Sequence, residues 1–154
     1  MRNKLLNYII RLYDIALSLL ALLLLGPLII FIFLICFLDS GKPIFIQKRL
    51  GLNKKIFYLF KFRTMKFNTP SISTHLINKT SLTKSGRIIR LLKFDELPQL
   101  INVLIGDMSL IGPRPCLLNQ EKLILQREKY SIFSVKPGIT GLAQINGIDL
   151  SNPE

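Results

Sequence analysis

Ile15 to Leu38 reads IALSLLALLLLGPLIIFIFLICFL, twenty-four consecutive residues without a charge. Only Ser18, Gly26, Pro27 and Cys36 interrupt the Leu, Ile, Phe and Ala. A straight helix of that length covers roughly 36 Å, enough to cross a bilayer. No polar face exists in the run, so a soluble helix fits poorly. A secretory signal fits poorly too, because Phe37-Leu38-Asp39-Ser40 is not a small-x-small cleavage site. Residues 1–39 therefore predict a membrane anchor and residues 40–154 a separate domain.

Two features bear on how the anchor meets the bilayer. Gly26-Pro27 lies near the middle, and a proline ring clashes with the carbonyl four residues back, so a bend is expected there. Both flanks are basic: Arg2, Lys4 and Arg11 precede the run, and Lys42, Lys48, Arg49, Lys54 and Lys55 follow it. Basic flanks prefer the cytoplasm. If both obey, the segment enters and leaves on one side, with arms of about 18 Å each. A single tilted, Pro-kinked crossing is the simpler alternative, and charge and proline alone favour it. Asp14, at the mouth of the run, reads as an interfacial carboxylate paired with Arg11. Its other reading is a polar clamp on a bent helix.

The whole chain has 154 residues, 49% of them hydrophobic, with 21 Lys+Arg against 9 Asp+Glu, a net charge of +12. Mean hydropathy is +0.40, which excludes a disordered tail. Two cysteines, Cys36 and Cys116, exclude a disulfide framework. The charge is segmented. Residues 40–94 carry thirteen Lys or Arg and no acid, whereas residues 95–154 carry five basic and seven acidic groups. Such a balance points to phosphate groups or acidic lipid headgroups. No helix-turn-helix, zinc or RNA-binding pattern supports nucleic acid as a partner.

Residues 43–47 and 55–60 are β-prone runs around Gly51-Leu52-Asn53, predicting a hairpin. Residues 67–83 read as a loop. It holds His75, too isolated for metal or catalytic work, and the sequon Asn78-Lys79-Thr80, which is discarded as a chance match. Helices are expected over 85–94, 97–105 and 117–130, with Gly106 ending the second. Arg87, Arg90 and Lys93 recur every third residue and are expected to share a face. Gly112-Pro113-Arg114-Pro115 and Pro137-Gly138 read as rigid turns. The class is α+β: an anchoring helix, then a small, mostly helical domain with a short hairpin and no βαβ alternation.

The first carboxylates after the cationic stretch are Asp95-Glu96. On a regular helix they would diverge by about 100° and could converge only at a helix start or break. As an N-cap pair they would serve the next helix. As a functional pair they would face phosphate and a divalent metal, since Mg²⁺ sits between carboxylates and phosphate oxygens. A carboxylate can also attack phosphorus. Arg114, between two prolines, is preorganised for phosphate capture. Arg90 lies five residues before Asp95. Lys61 and Arg63 alternate with Phe62, are expected on one side of a strand and, with Arg90 and Arg114, are the candidate phosphate-binding residues.

These pieces, in this order, resemble the bacterial sugar transferase family, the monotopic phosphoglycosyl transferases. The matching runs are Gln47-Lys48-Arg49-Leu50-Gly51, Lys61-Phe62-Arg63-Thr64-Met65, Asp95-Glu96-Leu97-Pro98-Gln99-Leu100, Asn102-Val103-Leu104, the stretch from Gly106 to Pro115, and the stretch from Val135 to Gly147. The resemblance implies transfer of a sugar 1-phosphate from a nucleotide diphosphate sugar, often a UDP-sugar, to polyprenyl phosphate such as undecaprenyl phosphate. It implies a Pro-bent, re-entrant helix on the cytoplasmic leaflet of the bacterial inner membrane. By the match Asp95 is the nucleophile that carries the phosphosugar, and Glu96 supports metal binding or proton handling, with Mg²⁺ as cofactor. Arg90 and Arg114 match positions expected to hold phosphate. The family often has Ser-Pro where this chain has Gly26-Pro27, and Arg where it has Ile148. Relatives run on past the position of Glu154, so a short form of the family is expected. The competing expectation is a non-catalytic, membrane-tethered basic module that binds anionic lipid or a protein partner.

Overall fold

The computed structural model describes residues 2–66 and 81–146, with side chains from Leu5 onward. His75, the sequon and Ile148 lie outside the described residues. Helix α1 (Arg2–Ser40) runs for 39 residues with Pro27 inside it. By length and composition it is the one helix among the described residues apolar enough to cross a membrane. Most of its large side chains are exposed, from Leu5 to Leu38.

The domain that follows begins with a hairpin, β1 (Ile44–Leu50) and β2 (Ile56–Phe62), paired antiparallel from Ile44 opposite Phe62 to Leu50 opposite Ile56. A 3₁₀ turn, Leu52–Lys54, joins them through Asn53 and Lys54 at positive φ. Next come α2 (Lys84–Leu91), a 3₁₀ turn at Phe94–Glu96, α3 (Gln99–Ile105) and β3 (Ser109–Ile111). Helix α4 (Glu121–Lys129), β4 (Gly138–Thr140) and α5 (Leu142–Ile145) complete it. The class is α+β, as the sequence predicts, and the hairpin falls where the apolar runs place it.

One pairing escapes the sequence pattern. Strands β3 and β4 run parallel, Ser109 opposite Gly138 and Ile111 opposite Thr140. What looked like two independent turns is one joint. A Cβ on Gly138 would lie 2.0 Å from Gly112 N, and one on Gly141 would lie 2.3 Å from Gly112 O. Only bare backbone fits at this crossing. Gly112 N–H donates to Thr140 O at 2.9 Å and Gly138 N–H to Pro113 O at 3.0 Å.

Two apolar clusters hold the parts together. Phe57 and Leu59, alternating inward on β2, pack with Val103 of α3 and with Met108. The opposite face of β2 supplies Phe62, which packs with Ile89 of α2 and with Ile32 and Cys36 of α1. Asn102, fully buried, ties α3 to the strand: its amide donates to Tyr58 O at 2.7 Å and its Oδ1 accepts Phe60 N–H at 3.0 Å.

Helix α1 is fastened near both ends. Arg11 donates to the carbonyls of Val103 and Leu104, capping the carboxyl end of α3. Asp14 is not paired with Arg11. Its Oδ1 accepts Ser109 Oγ–H and Leu110 N–H, both at 3.0 Å. Asp14 thus ties α1 to β3, and the expected pair with Arg11 gives way because Arg11 already faces carbonyls. The other end of α1 docks through Ile32 and Cys36, twenty-one and twenty-five residues after Arg11.

Candidate active site

The site forms where α2 stops. Thr83 caps α2 by accepting Gly86 N–H at 2.9 Å. Gly86 lies so close to Thr64 that a Cβ there would stand 2.2 Å from its carbonyl oxygen. This close approach sets Arg90 to donate its Nε–H to Thr64 Oγ1 at 2.7 Å. The helix ends at Leu91, and Lys93 turns into the left-handed region at φ 59°. Arg87, Arg90 and Lys93 therefore share no face: Arg87 and Lys93 are exposed while Arg90 points inward.

The left-handed step starts the 3₁₀ turn that carries Asp95 and Glu96, both buried. The cap of α3 is Pro98, without a side-chain bond, so the two acids do not serve as its N-cap. They are freed for each other and for the cations around them.

Their fates differ. Glu96 Oε1 accepts Lys61 Nζ at 2.8 Å and Arg114 Nη2 at 2.7 Å. Lys61 reaches it because it continues the inward face of Phe57 and Leu59 on β2. Burial opposes the charge on Glu96, but Lys61 and Arg114 outweigh it and hold the carboxyl at about 2. Glu96 thus anchors two cations from separate segments of the chain. Asp95 makes no salt bridge among the described residues. Burial pushes its carboxyl up from the ordinary range, Glu96 adds to the rise, and Lys61 and Arg90 restrain it.

The Arg114 turn is held from several sides. Its main chain is locked by the glycine crossing of β3 and β4. Its carbonyl accepts Arg127 Nη1 at 2.6 Å, and the next carbonyl, Pro115 O, accepts Arg49 Nη1 at 3.1 Å. Neither Arg49 nor Arg127 is a sequence-predicted site residue, and nor is Thr64. Arg49 and Thr64 lie within motif runs, whereas no local signal marks Arg127. Arg63 goes elsewhere. The strand ends at Phe62, and Arg63 donates to Lys42 O at 2.9 Å and lies 5.4 Å from the Phe45 ring centre.

The donor set suits a hard cation shared with a substrate. Among the described residues no three His, Cys, Asp or Glu converge. Asp95 and the second oxygen of Glu96 are the two acidic donors present. That fits Mg²⁺, which binds one or two carboxylates and completes its shell with water and phosphate.

Comparison with known proteins gives the family. The family model described as bacterial sugar transferase matches residues 5–153. The Bacillus subtilis sugar transferase EpsL is 46% identical over 138 residues, covering 89% of this chain and 68% of that protein. The Escherichia coli UDP-glucose:undecaprenyl-phosphate glucose-1-phosphate transferase is 43% identical over 150 residues, covering 94% of this chain and 32% of that protein. The Salmonella typhimurium undecaprenyl-phosphate galactose phosphotransferase is 34% identical over 158 residues, covering 92% and 33%. The chain thus spans about two thirds of the first and a third of the other two. A match over nearly its full length places this chain in the bacterial sugar transferase family.

Proposed function

We propose that the chain transfers a sugar 1-phosphate from a nucleotide diphosphate sugar, of the UDP class, to a polyprenyl phosphate such as undecaprenyl phosphate. The observation that carries this is the asymmetry of the acid pair. Glu96 is tied to Lys61 and Arg114, while its neighbour Asp95 stays buried, unbridged and raised in basicity among cations. That is the environment of a nucleophile directed at a phosphoryl group. In the first half, an Asp95 oxygen bonds to the sugar-bearing phosphorus, and the nucleoside monophosphate leaves with the bridging oxygen. In the second, a polyprenyl phosphate oxygen takes that phosphorus and Asp95 is released. Lys61, Arg90 and Arg114 offset the charge that spreads over the phosphoryl oxygens. Mg²⁺ held by Asp95 and Glu96 would add Lewis-acid stabilisation there.

The greasy acceptor calls for a site at the headgroup level, and α1 suits that place. A helix crossing the bilayer carries its ends to opposite faces. Here Arg11 and Asp14 at one end, and Ile32 and Cys36 at the other, touch the same domain. This supports a re-entrant segment bent at Gly26-Pro27, with the domain on the cytoplasmic face of the inner membrane. The relatives named for undecaprenyl-phosphate substrates support the choice of acceptor.

The test is release of labelled UMP from UDP-sugars by the purified full chain with undecaprenyl phosphate, with and without a chelator. Turnover that needs Mg²⁺ and is abolished by Asp95→Asn is the expected result. Normal turnover by Asp95→Asn removes the nucleophile assignment. Binding without UMP release would instead make the chain a tethered module for donor or lipid.

A further inference from the structure

Three cations surround the acid pair, and they are held differently. Lys61 and Arg114 are both bonded to Glu96. Among the described residues no ion pair engages Arg90, whose hydrogen bond runs from Nε to Thr64 Oγ1 at 2.7 Å. The outer edge of its guanidinium, Nη1 and Nη2, is left without a protein acceptor among those residues. Arg90 nevertheless stands near the acids. Burial opposes its charge, and Asp95 and then Glu96 support it. A long, flexible side chain in that place would swing onto the buried Asp95 carboxylate, since charged donors and acceptors make the strongest bonds. It does not, because Nε is already committed.

The acceptor that commits it has a fixed base. Thr64 is 3% exposed and lies two residues past the end of β2. Its carbonyl accepts Thr83 N–H at 3.1 Å, from the residue that caps α2. Gly86 presses on the same carbonyl, and the next residue, Met65, bridges Leu82. Residue 64 and the first turn of α2 are therefore locked together by backbone. The Thr64 hydroxyl meets Arg90 one helical turn beyond Gly86, from a point that cannot drift relative to the helix.

We infer that Thr64 is a positioning residue for the transfer: its hydroxyl pins Arg90 by Nε, holds the guanidinium off Asp95, and presents the Nη1–Nη2 edge to the phosphoryl oxygens of the substrate. This rests on the transfer reading above. An arginine edge grips two oxygens at once when its plane is fixed, and fixing the plane beforehand lowers the entropy lost on binding. Thr64 itself touches no reacting atom. Its contribution passes entirely through Arg90, so it disappears when residue 90 has no Nε–H to pin.

The experiment is a double-mutant cycle on the purified full chain, read as kcat/KM for UMP release from a UDP-sugar with undecaprenyl phosphate. Thr64→Val keeps the shape and removes the acceptor, and is expected to lower kcat/KM by about tenfold to a hundredfold, as loss of a bond to a charged group does. Thr64→Ser keeps the oxygen and is expected to restore most of the rate. Arg90→Lys keeps a cation without the Nε–H. In that background Thr64→Val is expected to change kcat/KM by no more than about twofold, because coupled residues are not additive. If Thr64→Val fails to fold, Thr64→Ala, which adds no bulk, takes its place in both backgrounds. A parent rate in Thr64→Val, an equal loss in Thr64→Ser, or the same loss with Lys at position 90 as with Arg overturns the positioning role, the last by showing a merely structural effect. Failure of the transfer reading is seen separately, as absence of UMP release by the unmodified chain, and it removes this inference too.

Discussion

Arg114 donates its Nη2 to Glu96 Oε1 over 2.7 Å, joining a Pro-flanked turn to an acid eighteen residues earlier. The same oxygen accepts Lys61, so one carboxylate holds three segments of the chain in register. Glu96→Gln leaves two largely buried cations without their anion. A loss on the order of 3 kcal/mol is expected, as for other broken buried pairs. The sign with pH follows from the depressed carboxyl, at about 2 against an ordinary 4.5. Its contribution is complete above the ordinary value and disappears as pH falls through the depressed one. Thermal melts of the two proteins should differ most near neutrality and converge toward pH 2. A constant gap across that range contradicts the pairing.

Asp95→Asn should separate stability from activity. Because burial raises this carboxyl, its ionised form is disfavoured in the folded state and costs stability at neutral pH. The neutral amide removes that cost, so the melting temperature should hold or rise while transfer falls by at least about a thousandfold. In the unmodified chain the rate should climb with pH through an ionisation above the usual aspartate range. A clear drop in melting temperature for Asp95→Asn argues that the group is structural.

Much of this site is legible in sequence because its signals are local. Asp95-Glu96 after fifty-five residues without acid, the proline two positions on, and Arg114 between prolines all point to one corner. The apolar run of α1 is equally plain. The misreadings come from tertiary partners. Asp14 has Arg11 within one turn, yet Ser109 and Leu110, almost a hundred residues away, take it. Arg63 alternates with Lys61, but the strand stops between them. The Arg87–Arg90–Lys93 row breaks because Lys93 turns left-handed. Strands of three residues, paired across twenty-nine positions through bare glycines, leave no periodicity to read.

Asp14→Ala should loosen the amino-terminal half of α1 from the domain. Asp14 is 5% exposed and satisfies two donors, Ser109 Oγ–H and Leu110 N–H. Stranding them costs about 1–3 kcal/mol each. Asp14→Asn keeps an acceptor oxygen and should recover most of the loss. The check is amide exchange at Leu110 with thermal melts of both variants; equal melts for Ala and Asn would show that the acceptor does not matter.

Gly138→Ala should disturb the Arg114 turn, since its Cβ would meet Gly112 N at 2.0 Å. Backbone on both sides cannot yield as a flexible side chain would. Destabilisation above about 3 kcal/mol is expected. A Gly138→Ala protein with unchanged melting temperature and unchanged UMP release would show that the glycine crossing does not hold the turn.

Gly26 and Pro27 should behave in opposite ways despite being adjacent. A Cβ on Gly26 meets nothing within 4 Å, so Gly26→Ala is sterically free. It gains about 0.5–1 kcal/mol of helix propensity. If the proposed re-entrant path depends on the missing N–H and the ring of residue 27, Gly26→Ala leaves that path in place. Pro27→Ala restores the bond to the Leu23 carbonyl and favours a straight helix, whose ends then lie roughly 37 Å apart between Arg11 and Cys36. A straight helix strains the docking of Arg11 and Asp14 at one end against Ile32 and Cys36 at the other. Single cysteines placed before residue 11 and after residue 41, in a background without Cys36 and Cys116, report the result in intact cells. Both sites should resist an impermeant reagent in the parent and in Gly26→Ala. In Pro27→Ala the site before residue 11 should become reactive in a fraction of molecules. Labelling at only one site in the parent would mean that α1 crosses the bilayer, and the re-entrant placement would be abandoned.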